Sequence, residues 1–290
     1  MKGIVLAGGS GTRLHPLTIA ISKQLMPVYD KPMIYYPLSV LMLAGIRDIA
    51  LITNPEDQHL FQRLFGDGSR LGLNISYFVQ EQASGIPEAF LITESWLQNE
   101  EVCLILGDNI FFGESFGQKI SLAIDELDGA TIFTQQVNNP QRFGVACFDE
   151  NDHIVALHEK PKEFVSNWAI TGLYLFDSQV VEFAKNTRPS GRGELEIMDV
   201  LEQYRQQQRL SHSPLGRGFA WLDAGTAESL LDAGSCIHTI EKMQGLKIAC
   251  LEELAVRQGW CDKDTVLSHQ ANQSQSAYDV YVRQILEQLP

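Results

Sequence analysis

The chain has 290 residues, enough to bury a large core in one domain or in one domain with an appendage. Its 44% apolar and 20% charged content is that of an ordinary globular protein. A formal charge of −14 at pH 7 leaves no field of Lys and Arg for nucleic acid or an anionic membrane surface, so neither partner is expected and an anionic substrate must meet a local basic pocket.

No apolar run approaches the roughly 18 residues of a membrane span. Met1-Lys2 leads into only five residues, Gly3–Ala7, before glycines begin, and nothing marks the chain for export. The five cysteines (Cys103, Cys147, Cys236, Cys250, Cys261) show neither CxxC nor Cys/His zinc spacing. A reducing cytoplasm and no structural metal are the expectations.

In chain order, the apolar runs Gly3–Ala7, Asp48–Thr53, Ile75–Gln80 and Val102–Leu106 predict strands. Between them Leu38–Ala44, Glu56–Phe65 and Glu88–Leu97 carry helical periodicity. This alternation predicts an α/β fold, a Rossmann-like and mostly parallel central sheet flanked by helices. From Ala130 the rhythm changes: Thr131–Val137, Val145–Phe148, Ile154–Leu157 and Ala169–Phe176 predict antiparallel strands added to that sheet. After Thr226 the chain reads as helical, with Ser229–Met243 and Tyr278–Leu289 the clearest amphipathic stretches and a polar link, Ser268–Ser276, before the last.

The first strand runs into Gly8-Gly9-Ser10-Gly11-Thr12-Arg13-Leu14, with Pro16-Leu17-Thr18 and Ser22-Lys23-Gln24-Leu25-Met26-Pro27 beyond. Glycines there allow positive φ and close approach of backbone N–H groups, while Arg13 and Lys23 supply charge for a polyphosphate. Two better-known glycine loops are excluded on spacing: no Gly-Lys-Ser/Thr follows Gly11, and Leu14 stands where a dinucleotide loop needs its third glycine. A bare strand-to-helix turn would not need the two cations.

In an open α/β sheet ligands sit beyond the carboxyl ends of the strands, so polar residues there are the informative ones. Gln80 ends a strand, with Gly85 just before a helix; its amide offers a donor and an acceptor suited to a pyrimidine edge, or faces solvent. Asp108, after Val102–Leu106, is a first candidate ligand for Mg²⁺, or a turn former. Asp223, in Trp221-Leu222-Asp223-Ala224-Gly225-Thr226, would make a metal pair with it, although Asp223 or Thr226 could equally cap the following helix. Lys160 in His158-Glu159-Lys160-Pro161-Lys162 could reach a phosphate and Glu159 accept from ligand hydroxyls, or the segment is a solvated turn. Arg192, between Gly191 and Gly193, is a flexible basic point suited to an anion.

These segments together resemble the sugar-1-phosphate nucleotidyltransferases, and within them the glucose-1-phosphate thymidylyltransferase family. Beyond the glycine loop, Asp30-Lys31-Pro32-Met33-Ile34-Tyr35-Tyr36-Pro37-Leu38, Gly107-Asp108-Asn109-Ile110-Phe111, Arg142-Phe143-Gly144-Val145, Glu159-Lys160-Pro161, Ala169-Ile170-Thr171-Gly172-Leu173-Tyr174, Arg192-Gly193-Glu194-Leu195-Glu196 and Phe219-Ala220-Trp221-Leu222-Asp223 match in order, across essentially the whole chain. Ile170 stands where relatives often carry Val, and Pro87-Glu88 and Ala224 where relatives vary.

The resemblance implies Mg²⁺-dependent transfer of a thymidylyl group from dTTP to glucose 1-phosphate, giving dTDP-glucose for dTDP-sugar biosynthesis and pyrophosphate. It implies a core over 1–226, its nucleotide-binding half about 1–130 and sugar-binding half about 131–226, with 227–290 a helical region packed on it. Leu6, Gly8, Gly9, Ser10, Gly11, Thr12, Arg13, Gln24, Gln80, Gly85 and Asp108 would hold the nucleotide. Asn109, Gly144, Glu159, Lys160, Ile170, Thr171, Arg192 and Trp221 would line the sugar phosphate, and Asp108 and Asp223 would hold Mg²⁺. Arg13, Lys23, Asp108, Lys160 and Asp223 would carry catalysis, with no protein nucleophile. It also implies a homotetramer with a regulatory nucleotide site at a subunit interface. A UTP-preferring uridylyltransferase of the same fold and a non-catalytic sugar-nucleotide sensor share most of these residues.

Overall fold

The structure, a computed structural model, describes residues 1–9, 11–270 and 276–289. Ser10 and residues 271–275 of the expected polar link lie outside the described residues.

The first half alternates β1 (Lys2–Ala7), a hairpin of β2 (Pro27–Val28) and β3 (Lys31–Pro32), α1 (Tyr35–Leu43), β4 (Asp48–Thr53), α2 (Gln58–Phe65), β5 (Asn74–Val79), α3 (Glu88–Ile92), α4 (Glu94–Leu97) and β6 (Val102–Leu106). The second half follows with β7 (Asn109–Phe112), α5 (Phe116–Asp125), β8 (Ala130–Gln136), β9 (Gly144–Phe148), β10 (Ile154–Glu159), β11 (Trp168–Phe176), α6 (Val180–Asn186), α7 (Ile197–Gln206), β12 (Leu210–Pro214) and β13 (Ala220–Asp223). Four helices close the chain: α8 (Ala227–Gln244), α9 (Leu251–Arg257), α10 (Lys263–Gln270) and α11 (Ala277–Gln288).

Among the described residues β5, β4, β1 and β6 form a parallel array in that order, within a nine-stranded sheet. Strands covered on both faces must be apolar, and β1 is so after Lys2: Val5 and Ala7 join the core under α1, α2, α5 and α9, while Ile4 and Leu6 join the core under α3, α6 and α7. The expected antiparallel addition is β11, which pairs β6 from Leu173 to Phe176 and touches β9 at Ala169 along the same edge. A register shift against β8 between Ile170 and Tyr174 marks the point where β11 changes neighbour. Thr171 and Gly172 sit at that fork.

Two expectations need correction. Glu88–Leu97 is not one helix, because Thr93 turns its buried hydroxyl back onto the carbonyl of Ala89 at 2.7 Å and the backbone breaks there. The four added strands named from the sequence pair antiparallel as expected, and β12, which had no counterpart there, joins β8 in parallel register. The helices α5 and α6 have no counterpart among the expected segments, and α2 starts at Gln58 rather than Glu56 because an Asn54–Asp57 turn, Asp57 N–H to Asn54 Oδ1 at 2.8 Å, occupies its approach. No helix among the described residues is long and apolar enough to cross a membrane.

The helical C-terminal part is bolted to the β2–β3 hairpin by buried charge. Lys31 Nζ lies 2.6 Å from Asp30 Oδ1 and 3.0 Å from Glu241 Oε1 on α8, and Lys247 closes the ring against both carboxylates. Tyr36 and Tyr278 present ring faces to Lys31. Burial by itself would raise the Asp30 carboxyl, but hydrogen bonds and charge from Lys247 and Lys31 outweigh it and hold the group below its ordinary value. A depressed carboxylate stabilises the fold above its unfolded pKa and loses that contribution as pH falls through the folded one. Lys31→Met should therefore lower the unfolding free energy by about 3 kcal/mol at neutral pH. In urea titrations the deficit should shrink on acidification through the carboxylate range, and a pH-independent deficit would contradict this account.

Candidate active site

Two short segments leave the carboxyl ends of the parallel strands β1 and β6 and meet the end of β13. After β1, Gly9 and Gly11 adopt φ of 139° and 55°, as a phosphate-cradling loop requires. Thr18 Oγ1 holds the carbonyl of Gly11 at 2.8 Å, and buried Leu14 anchors the turn that carries Arg13. Arg13 is exposed, and among the described residues no carboxylate lies within ion-pair distance of it.

After β6, Gly107 is hydrogen-bonded to Leu6 across the sheet and packs too tightly against Gln24 and Leu6 to carry a side chain. Asp108 follows, half-buried, with Lys23 Nζ on its Oδ2 at 2.5 Å. Asn109 then pins the arrangement. Its Nδ2 donates to Asp108 Oδ1 at 2.8 Å, and its Oδ1 accepts from Gly172 N–H at 3.0 Å and from Trp221 Nε1–H at 2.6 Å. Gly172 is required at the β11 fork, because a Cβ there would stand 2.7 Å from the Asn109 amide.

The short antiparallel pair β7–β13 sets Asp223 opposite Asn109. Two carboxylates from distant parts of the chain thereby share one wall, with Arg142 3.6 Å from Asp223. Their environments drive them apart. Burial works against ionisation of Asp108, yet the charge and hydrogen bonds of Lys23, with Asn109, hold it below the usual carboxylate range. Asp223 goes up, from burial first and the nearby Asp108 charge second, against the partial relief of Lys23, Arg142 and Arg13. Thr226, not Asp223, caps α8, in a capping box with Ser229.

Three clefts radiate from Asp108. One of about 310 Å³ is lined by Gly8, Gly9, Gly11, Thr12, Arg13, Lys23, Gln24 and Asp223. A second, of about 210 Å³, has apolar walls in Leu6, Leu106 and Ile86 and takes Gly8, Gly85, Gln24 and Gln80 into its lining. The third, about 290 Å³, collects Asn109, Gly144, Glu159, Lys160, Ile170, Thr171, Arg192 and Trp221 between β11, β9–β10 and α7. Every described residue expected at the site therefore lies in or beside one of these clefts. Glycine at 144 lets β9 approach α7, since a Cβ would stand 2.1 Å from Met198 Cε.

Details differ from expectation. Gln80 is buried, and its Nε2 is committed to Glu88 Oε2 at 2.7 Å and the Gly85 carbonyl at 3.1 Å, so it presents only its acceptor. Arg192 is not a free basic point, because it is held by Glu196 at 2.8 Å and reaches Glu159 at 3.3 Å. Lys160 likewise lies 3.0 Å from Glu159. The sequence reading missed Arg142, Glu194, Tyr174 and Met198 as cleft residues. The first three stood inside the matched segments, whereas Met198 is an apolar helix residue with no signal to separate it from core.

A glycine loop, two aspartates and adjoining clefts on a parallel sheet define a nucleotide-handling enzyme, and the chain belongs to the nucleotidyl transferase family, whose model matches residues 2–239. It is 54% identical over 287 residues to the glucose-1-phosphate thymidylyltransferase of Neisseria meningitidis, covering 99% of this chain and 100% of that one. Against the enzyme of the same name from Mycobacterium tuberculosis it is 48% identical over 287 residues, 99% of each. Among solved structures, a Bacillus anthracis protein described as a glucose-1-phosphate thymidylyltransferase, in complex with sucrose, superposes with a TM-score of 0.75 at 39% identity over 81% of this chain and 94% of that one. A UDP-glucose pyrophosphorylase complexed with UDP-glucose shares the fold, with a TM-score of 0.73 at 24% identity over 82% of this chain and 98% of that one.

The raised proton affinity of Asp223 is a cost to the cation-free fold, since ionising it at neutral pH sets it against Asp108. A group with a raised folded pKa loses stability for the protein as pH rises through it. Asp223→Asn should raise the melting free energy measured in chelator by on the order of 1 kcal/mol at neutral pH, with the gain vanishing in acid. A destabilised variant would refute this placement of the charge.

Proposed function

We propose that this chain transfers the thymidylyl group of dTTP to α-D-glucose 1-phosphate, releasing pyrophosphate and forming dTDP-glucose. The observation that carries this reading is the junction of the three clefts at Asp108: base, polyphosphate and sugar phosphate each have a compartment, and all three open on one carboxylate.

The sugar phosphate is already a competent nucleophile at neutral pH, so its oxygen attacks the α-phosphorus in line while the bond to the departing pyrophosphate breaks. The barrier is chiefly the repulsion and misalignment of two anions. Arg13, with no carboxylate to satisfy it, is placed over the glycine loop to take the charge of the leaving group. Lys23 adds charge near the reacting phosphorus, and Lys160 and Arg192 orient the sugar phosphate by exchanging contacts with Glu159 and Glu196 for contacts with phosphate oxygens. Glu159, with Gly144 and Ile170, lines the sugar itself. Gln80 and the glycines Gly8 and Gly85 frame the thymine edge.

The donor set suits a small hard dication: two carboxylates, of which Asp223 is short of positive charge, beside a phosphate loop. Asp108 and Asp223 would hold Mg²⁺, which when bound supplies neutralisation of the phosphate oxygens. For assembly we hold to a homotetramer with a regulatory nucleotide site at a subunit interface. The strongly exposed Leu231 and Met243 on α8 support an assembly surface there, which light scattering checks. The reaction and its setting are those of a cytoplasmic enzyme.

Pyrophosphate release should be seen with dTTP, Mg²⁺ and glucose 1-phosphate, and should vanish in chelator. Asp108→Asn should lose at least about a hundredfold, roughly 3 kcal/mol of transition-state stabilisation. Arg13→Ala should lower kcat more than it raises KM for dTTP, and the opposite split would reduce Arg13 to a binding residue. Ping-pong kinetics or a trapped nucleotidyl-enzyme would rule out the single displacement. Turnover of UTP exceeding that of dTTP would reassign the nucleotide.

A further inference from the structure

Resting on the proposed assignment of the Gln80 cleft to the base, we infer that Glu88 is a specificity-positioning residue: it fixes the polarity of the Gln80 amide and so selects a pyrimidine ring that offers an N–H donor. Glutamine is ambiguous, because its side chain can turn over and present either an NH₂ or an oxygen. Here the ambiguity is removed. Both partners of Gln80 Nε2, the Glu88 carboxylate at 2.7 Å and the Gly85 carbonyl at 3.1 Å, can only accept, so the NH₂ must face them. Turning the amide over would put its oxygen against two other oxygens.

The Gln80 Oε1 is left facing Gly8, where a Cβ would stand 2.8 Å from it. No donor among the described residues meets this oxygen, and it is not sealed from the cleft. The cleft offers it a ligand between the apolar walls of Leu6, Leu106 and Ile86. A buried acceptor of this kind is satisfied by the N3–H of thymine or uracil and opposed by the N3 lone pair of cytosine. Leaving a buried polar group unpaired costs far more than a lost apolar contact, so the discrimination follows from the amide's orientation rather than from cleft size. Glu88 touches neither base nor phosphate in this arrangement. It acts through Gln80 alone, from the first residue of α3.

The test compares kcat/KM for dTTP, dUTP and dCTP in the full-length wild type and in Glu88→Gln, an isosteric change that removes the shorter of the two acceptor-only contacts and leaves the Gly85 carbonyl alone, at 3.1 Å, to oppose the turned-over amide. The preference for dTTP over dCTP should fall by at least about tenfold, through KM, while the ratio of dTTP to dUTP stays unchanged because both carry N3–H. A dTTP-to-dCTP ratio unchanged within about twofold, or an equal loss with all three nucleotides, would overturn the inference. A parallel calorimetric titration with dTMP and dCMP reads the same ratio without turnover. If the wild type releases no pyrophosphate but the dTMP preference is present and lost in Glu88→Gln, the enzymatic reading fails and the inference stands.

Discussion

Two carboxylates set together against their own repulsion are the constraint around which the rest of this structure is arranged. Asp108 and Asp223 are brought onto one wall by the β7–β13 pairing, Asp108 from the two-residue turn between β6 and β7 and Asp223 from the last position of β13. Lys23 answers the first charge directly, whereas Asp223 is answered only partly by Arg142. The residual negative potential is therefore directional: it faces the cleft that both carboxylates line beside the glycine loop. A site built this way is less stable empty than a neutral one, a cost placed where the chemistry needs charge.

Rigidity comes from close approach. Gly107 lets the turn after β6 lie against Leu6 and Gln24, and Gly172 lets the β11 fork come within reach of Asn109, whose three hydrogen bonds couple Asp108 to β11 and to Trp221. Gly144 does the same between β9 and α7. A methyl group at 107 would meet the Leu6 carbonyl and one at 172 the pinned Asn109 amide, and either would disturb the wall on which alignment for phosphoryl transfer depends. The clefts on either side of Asp108 thus share one continuous hydrogen-bonded wall.

The buried ionic ring extends this logic to the C-terminal helices. The β2–β3 hairpin follows immediately on the segment that carries Lys23, and α8 follows immediately on Asp223. By joining Asp30 and Lys31 to Glu241 and Lys247, the ring fixes the far ends of the two segments that bear the site's central charges. An ion ring of this kind contributes geometry more than net stability, since its desolvation offsets much of its attraction.

The chain's local chemistry was enough for the architecture of the first half, because strands covered on both faces must be apolar runs and the helices between them must be amphipathic. It was also enough for the glycine loop, the two aspartates and most cleft residues, since each stands at a strand end and is marked by its neighbours in sequence. Thr93 breaking a helix and β12 joining in parallel register were not legible, because both depend on what each segment packs against. Met198 looked like any core residue, and Gln80 like an amide with both faces open. Which atom of that amide faces the cleft, and whether Arg192 and Lys160 stand free or paired, are decided by groups distant in the chain. Composition and periodicity report what a segment can bury or donate; only the folded chain decides which partner uses up each donor and what is left for a ligand.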